Sequence, residues 1–191
     1  MIAVNNRRKY RNPPIEEAIV EFHFRPGQEW DLTIPGKLHQ HPAIKDQYPG
    51  KPRTHKIMEA SFQAGPEQPA TWAVREGPMR TQLVDTSGHR LISVGPDMLS
   101  VNVLRPYDDW EQFRPRIDAA LQAYAEVAKP NGVWRVGVRY INKIVVTGKA
   151  FDIPKYFTCG PPFAPGLPGQ MAGFISRVEY LYDDAIKLLL T

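Results

Sequence analysis

Residues 99–146 decide the fold, because they read as a strand, a long helix and a second strand. The first strand, LSVNVL at 99–104, alternates between side chains that point to opposite faces of a sheet. The second, WRVGVRYINKIVV at 134–146, alternates over a longer run and is the strongest strand pattern in the chain. We interpret the other segments as cover for this unit or as further strands of its sheet.

The segment between these two strands has the spacing of an amphipathic helix. It begins near Asp108 or Asp109, since either carboxylate can cap a helix and complement its dipole. Apolar residues at three- and four-residue steps form one stripe: Trp110, Phe113, Ile117, Leu121, Tyr124 and Ala128. Pro115 lies too deep for a first-turn proline, so we expect a kink or a restart of the helix there.

The segments before the long helix predict one short helix and five strands. IEEAIVEFHF at 15–24 alternates, with Ala18, Val20, Phe22 and Phe24 on one face and Glu17, Ile19, Glu21 and His23 on the other. A short broken helix is expected near 34–47, because its spacing is helical but prolines interrupt it. The remaining strands are predicted at 56–63, 80–86, 90–94 and 98–104, the last three as an antiparallel meander.

The resulting order, β-α-β4-α, predicts the fold class. It indicates an α+β domain with an antiparallel sheet and helices on one face, of the TATA-binding-protein-like or helix-grip type. The strand at 134–146 and a hairpin at 173–182 and 185–190 predict the start of a second, similar unit.

The chain is predicted to divide into three parts. These are a mobile basic arm at 1–12, the α+β domain at 13–147, and a C-terminal extension with a β-hairpin at 148–191. Because the chain ends in the apolar run LLLT, we expect it to be a truncated form of something longer.

Composition and missing motifs narrow the function classes. The 191 residues carry a net charge of +4 and one cysteine, Cys159, which favours a reducing cytoplasm and a spare thiol. No signal peptide pattern and no apolar run long enough to span a membrane occurs. Neither common phosphate-binding glycine motif occurs, and neither does Gly-x-Ser-x-Gly, which argues against P-loop NTPases, Rossmann dehydrogenases and serine hydrolases.

Three separated motifs resemble one protein family. They are Tyr10-Arg11-Asn12-Pro13-Pro14-Ile15 with Glu17-Ala18, then Asn102-Val103-Leu104 with Pro106-Tyr107 and Trp110-Glu111, and finally Arg139-Tyr140-Ile141-Asn142. Together they resemble a sporadically distributed, uncharacterised bacterial family with an Asn-Pro-Pro-Ile-x-Glu-Ala start. The resemblance implies a bacterial cytoplasmic protein, and the patchy distribution suggests mobile or defence-associated genes. It also implies a longer chain, and it carries over no catalytic residue.

The end of the strongest strand supplies the candidate ligand site. Arg139, Tyr140 and Asn142 lie there, and such side chains can bind a phosphate, a carboxylate or a base edge. Asn102 and Glu21 are added to this ligand-binding hypothesis. The alternative is structural, with Arg139 paired to Glu17 or Glu21 and Asn142 satisfying backbone groups.

Other polar clusters carry weaker hypotheses. Glu21 and His23 could share a metal as an i,i+2 pair, although a solvated strand face is favoured. His39 and His41 could do so only in an extended segment. We therefore assign no catalytic residue, no metal site and no cofactor.

The N-terminal arm carries a nucleic-acid hypothesis. Arg7, Arg8, Lys9 and Arg11 could contact phosphates together with Arg135 and Arg139 on one strand face. A solvated tail is favoured, since the rest of the chain is nearly charge-balanced.

The function that the sequence favours is a bacterial binding or interaction module, as part of a mobile or defence-associated system. Its expected partner is a protein, or a second copy that associates through the sheet edge. The alternative is a nucleic-acid-associated protein that uses the arm and the Arg135 and Arg139 face. We favour a role other than catalysis, and an active site assembled from distant residues stays open.

Overall fold

The structure, a computed structural model, describes residues 12–25, 30–65, 68–145, 178–182 and 186–190. The chain divides into two compact units, Met1–Ile144 and Val145–Thr191. The predicted arm at 1–12, except Asn12, and Cys159 lie outside the described residues.

The first unit contains six strands and two helices. In chain order they are β1 (Ile15–Phe24), α1 (Ile34–Gln40), β2 (Arg53–Gly65), β3 (Gln68–Val84), β4 (Arg90–Gly95), β5 (Met98–Leu104), α2 (Trp110–Ala128) and β6 (Val133–Asn142). The strands form one sheet in the order β2-β3-β4-β5-β1-β6, and all neighbours are antiparallel. The predicted α+β class and the antiparallel sheet are confirmed.

Strand β1 lies between β5 and β6 and divides its side chains as the alternation predicts. Ala18, Val20 and Phe22 are buried, and they lie opposite Val103, Val101 and Leu99 of β5. These residues belong to the hydrophobic core, which also includes residues of both helices: Leu38, Phe113, Ile117 and Tyr124. The helices therefore cover this face, and we call the opposite face of the sheet the outer face.

Helix α2 is held by its cap and by its apolar stripe. The side chain of Asp109, not that of Asp108, accepts a hydrogen bond from the backbone N–H of Gln112 at 2.9 Å. At the other end, Lys129 adopts a left-handed conformation with φ of 47°, which ends the helix. The ring of Tyr124 stacks on Phe24 of β1 with centroids 4.7 Å apart, which fixes the helix against the sheet.

Several predicted boundaries differ from the structure. The restart expected at Pro115 does not occur, because one continuous helix includes it. β3 begins at Gln68, well before the strand predicted at 80–86, and pairs with β2 along a long hairpin. β6 ends at Asn142 rather than at 146. The broken helix near 34–47 is α1, which ends at Gln40, just before Pro42, and is followed by turns.

The described part of the second unit is a two-stranded hairpin. β7 (Val178–Tyr182) and β8 (Ile186–Leu190) pair antiparallel, with Tyr180 opposite Leu188. Lys187 forms an ion pair with Glu179 at 2.9 Å. The rest of the expected extension lies outside the described residues. In the described ranges of the chain, no helix is both long and apolar enough to cross a membrane.

Candidate functional site

Strand β6 is one edge of the six-stranded sheet, and its outward side is not paired with any described strand. It is ten residues long, and nine of the ten are exposed. An unpaired strand edge presents a row of backbone N–H and C=O groups to another strand. The geometry of this edge strand therefore defines the candidate site, which we call the β6 edge (Val133–Asn142).

The helix-side row of the β6 edge continues the hydrophobic core without its cover. Val136, Val138 and Tyr140 lie directly opposite the core residues Phe22, Val20 and Ala18 of β1. The exposed fractions rise from 8%, 3% and 0% on β1 to 57%, 55% and 39% on β6. A continuous row of half-exposed apolar side chains is typical of a surface that contacts another molecule rather than of a face exposed to water.

The outer-face row of the β6 edge is basic and has a gap in its middle. Arg135, Gly137 and Arg139 follow at two-residue steps, so their side chains share this face. Glu21 of β1 lies opposite Gly137, and a Cβ built on that glycine would be 3.9 Å from the Cβ of Glu21. Gly137 therefore puts no side chain beside Glu21 at this point of the row, between the two arginines.

The acidic residues on the outer face are bound to polar neighbours rather than to these arginines. Asn102 Nδ2 donates to Glu17 Oε1 at 2.6 Å, and Ser100 Oγ donates to Asn102 Oδ1 at 3.0 Å. Glu21 is hydrogen-bonded to His23 on its own strand. Among the described residues Arg135 and Arg139 form no ion pair, so the expected pairing of Arg139 with Glu17 or Glu21 does not occur.

A change of register at one end of β6 moves Trp134 away from its expected face. The pairing of β1 with β6 shifts between His23 and Phe24. The Trp134 ring lies 5.8 Å from the His23 ring, on the outer face, whereas strict alternation along 134–146 would place Trp134 on the same face as Val136 and Val138. A bulge brings neighbouring residues to the same side of a strand, which explains why Trp134 and Arg135 both lie on the outer face.

Tyr140 lies on the opposite face from Arg139 and Asn102, so the predicted ligand residues do not converge. The Tyr140 ring meets the Tyr107 ring edge to face. Burial is the largest cause that raises the pKa of Tyr107, and the hydrogen bond with Tyr140 is the next. Asn142 Nδ2 donates to the backbone carbonyl of Tyr140 at 3.4 Å, as the structural alternative expects. The basic arm residues Arg7, Arg8, Lys9 and Arg11 lie outside the described residues.

The structure brings together three of the predicted residues and adds others. Arg139, Asn102 and Glu21 share the outer face, with Ile19 directly between Arg139 and Asn102. Val138 and Tyr107 were not among the predicted site residues. The alternation placed Val138 on a strand face, but only the strand order shows that this strand is an edge.

His39 and His41, which carried one of the weaker metal hypotheses, make structural contacts. His39 Nε2 lies 2.9 Å from the carbonyl of Tyr48, and His41 Nε2 lies 3.0 Å from Glu126 Oε2. Within the described ranges, no group of three His, Cys, Asp or Glu side chains could hold a metal ion.

A cavity of about 370 Å³ opens beside the turn that follows β3. It is lined by Asp46, Gln47, Tyr48, Asp85, Thr86, Ser87 and Arg90. The Asp85 carboxylate already accepts hydrogen bonds from the Ser87 hydroxyl and from backbone N–H groups of its own turn. These contacts give Asp85 a structural role in the turn.

Comparison with known proteins adds no assignment to this geometry. No protein-family model matches the chain, and neither a curated protein nor a solved structure matches it.

Proposed function

We propose that this chain is a protein-interaction module that binds an extended strand of a protein partner along β6. The observation that carries the proposal is the uncovered row of Val136, Val138 and Tyr140, which continues the buried row of β1 by one strand. A partner strand would use the backbone groups of the edge for affinity and these side chains for specificity.

The opposite edge of the sheet provides the contrast that supports β6. Strand β2 begins with Arg53, Thr54, His55 and Lys56, all exposed and polar or charged. Charged residues on an edge strand discourage pairing with another chain. The helix-side row of β6 carries valines and a tyrosine instead, so β6 is better suited to receive a strand than the described start of β2.

We also propose a fold type and a cellular setting for this chain, and each has its own support. Two helices on one face of an antiparallel sheet support a TATA-binding-protein-like or helix-grip fold. The family resemblance of the three sequence motifs supports a bacterial cytoplasmic setting within a mobile or defence-associated system.

Photo-crosslinking in living bacterial cells tests the proposed function. A benzoylphenylalanine at position 138 of the full chain should give a light-dependent covalent protein adduct, and the same residue at position 55 on β2 is the matched control. Excess untagged chain should reduce the adduct, whereas excess chain with Val136→Lys and Val138→Lys should not. Equal adducts at both positions, or equal competition by both chains, would contradict the proposal.

A second candidate function is nucleic-acid binding through the outer face. It is favoured by Arg135 and Arg139, which are exposed, lie on either side of Gly137 and form no ion pair among the described residues. Arginine contacts to phosphates release counterions, so binding should weaken steeply with salt. Titration of single-stranded and duplex nucleic acid at two salt concentrations tests it, and Arg139→Ala should reduce the salt slope by about 1. Salt-insensitive binding, or none, would remove this candidate.

A further inference from the structure

We infer that the strand received by β6 is β6 of a second copy of this chain, antiparallel and centred on Val138. This inference rests on the proposed function and names its partner. It follows from the register of β1 with β6, from the charges on the outer face and from the row of apolar residues on the helix side.

The alternation of β6 restricts the possible registers. Directly opposed residues in an antiparallel pair share a face of the sheet. A register that keeps the apolar row of one copy beside the apolar row of the other must therefore be centred on a residue. Registers centred between two residues would place Val136 and Val138 beside the arginines of the second copy, and we set them aside.

The arginines on the outer face distinguish among the remaining registers. A register centred on Gly137 places Arg135 opposite Arg139 of the second copy, and one centred on Arg139 places that arginine opposite itself. Like charges directly opposite each other destabilise a sheet. Centring on Val138 avoids both contacts, because Arg139 then lies opposite Gly137 of the second copy.

The Val138 register also supplies an acidic partner for Arg139 of each copy. Glu21 lies opposite Gly137 within one copy, and Gly137 lies opposite Arg139 of the other, so the three residues form one row across the strands. Two strand spacings, about 10 Å, separate the backbones of the carboxylate and the guanidinium. Because glycine has no side chain between them, the long arginine side chain can lie over Gly137 toward Glu21. The two-fold symmetry repeats this ion pair.

The helix-side row is complementary in the same register. Val138 meets Val138 of the second copy, and Val136 meets Tyr140 on each side of the axis. The regular pairing extends from Arg135 to Ile141 and stops short of the bulge near Trp134. A register centred on Val136 also separates the arginines, but it uses a shorter stretch of β6 and includes the bulge near Trp134.

Disulfide formation between single cysteines tests the register directly. Cys159 is replaced by Ser, and the full chain then carries Val138→Cys, Val136→Cys or Tyr140→Cys. Opposed residues have Cα atoms about 4.5–5.5 Å apart, within the span of a disulfide. In the Val138 register the two copies of residue 136 or 140 are offset by four residues, about 13 Å, which a disulfide does not span. Only Val138→Cys should give a covalent dimer on oxidation.

Charge exchange between two chains tests the ion pair. Arg139→Glu and Glu21→Arg should each weaken self-association about tenfold, because each opposes like charges at two symmetric positions. A mixture of the two variants should form a heterodimer that associates about as well as the unchanged chain. Circular dichroism of each variant verifies that the fold is kept.

The outcomes separate this inference from the proposed function. A covalent dimer of Val138→Cys alone, together with recovery in the mixed variants, supports the symmetric pair. A chain that stays monomeric, or crosslinks equally at 136, 138 and 140, overturns it. If position 138 then still captures a different protein in cells, the interaction module stands with another partner. If it captures nothing above the control, both proposals fail.

Discussion

The hydroxyls of Tyr107 and Tyr140 lie 3.4 Å apart, and their rings meet edge to face with centroids 5.7 Å apart. This contact joins the end of β6 to the segment that leads into α2. Replacing Tyr140 with Phe removes the hydrogen bond that raises the pKa of Tyr107, so that pKa should fall toward its ordinary value while burial still holds it above. Spectrophotometric titration of the phenolates measures the change. Tyr48→Phe removes a different tyrosine and should leave the titration of Tyr107 unchanged.

Two buried tyrosines predict how stability depends on pH in alkali. Burial raises the pKa of Tyr48 and of Tyr124 to about 12, above the ordinary value of 10.0. Between these values the unfolded chain loses protons that the folded chain keeps. The contribution of these two tyrosines to the free energy of unfolding should therefore be constant below about pH 10 and fall above it, by about 1.4 kcal/mol per pH unit for each tyrosine. Urea unfolding at several alkaline pH values measures the slope, and the double variant Tyr48→Phe, Tyr124→Phe should flatten it. An unchanged slope in that variant would contradict the assignment.

The cap of α2 predicts different effects for two neighbouring aspartates. Asp109→Ala removes the hydrogen bond to the N–H of Gln112 and should lower the free energy of unfolding by about 1 kcal/mol. Asp108→Ala is the matched control, because its carboxylate lies only at the limit of an ion pair, 4.0 Å from Arg116. Denaturant unfolding of both variants tests this, and equal losses would show that the cap is not specific to Asp109.

The turn between β3 and β4 predicts a loss of stability in acid. Burial would raise the pKa of Asp85, but hydrogen bonds from the Ser87 hydroxyl and from backbone N–H groups of the turn outweigh it and lower that pKa. The stability that these bonds contribute is therefore present above about pH 4 and is lost as the pH falls through the lowered value. Asp85→Ala should cost about 1–2 kcal/mol at neutral pH and less in acid. A cost that does not change with pH would contradict this origin.

The core and the β6 edge should respond differently to substitution. Phe113 is fully buried, and Phe113→Ala should cost about 3–5 kcal/mol through lost contacts and a cavity. Val138 is more than half exposed, so Val138→Lys should change stability by less than about 0.5 kcal/mol. Thermal unfolding at low protein concentration compares the two. A large loss for Val138→Lys under those conditions would show that its side chain is part of the core of the isolated chain.

The alternation of side chains predicted β1 closely, because Ala18, Val20, Phe22 and Phe24 are all apolar and all buried. The start of β3 was missed because Gly65 and Pro69 are typical of loops, and pairing with β2 outweighs this local preference. For the candidate site, the sequence placed Arg139, Asn102 and Glu21 on strands but did not show which strands are neighbours. Strand order depends on contacts between distant segments, which an alternation pattern does not contain. The open side of β6 was therefore visible only in the structure.

The position of β1 has a consequence for how the chain is made. Strand β1 leaves the ribosome before the other described strands, but in the finished sheet it is flanked by β5 and β6, the last two described strands of this sheet in chain order. Both of its edges stay unpaired until β5 (Met98–Leu104) has been synthesised, so the apolar residues of β1 have no strand partner while the intervening residues are made. Long-range pairing of this kind slows folding and leaves strands open to aggregation. The nascent domain is thus at its most vulnerable early in synthesis, and the arrival of β6 is the event that ends this exposure.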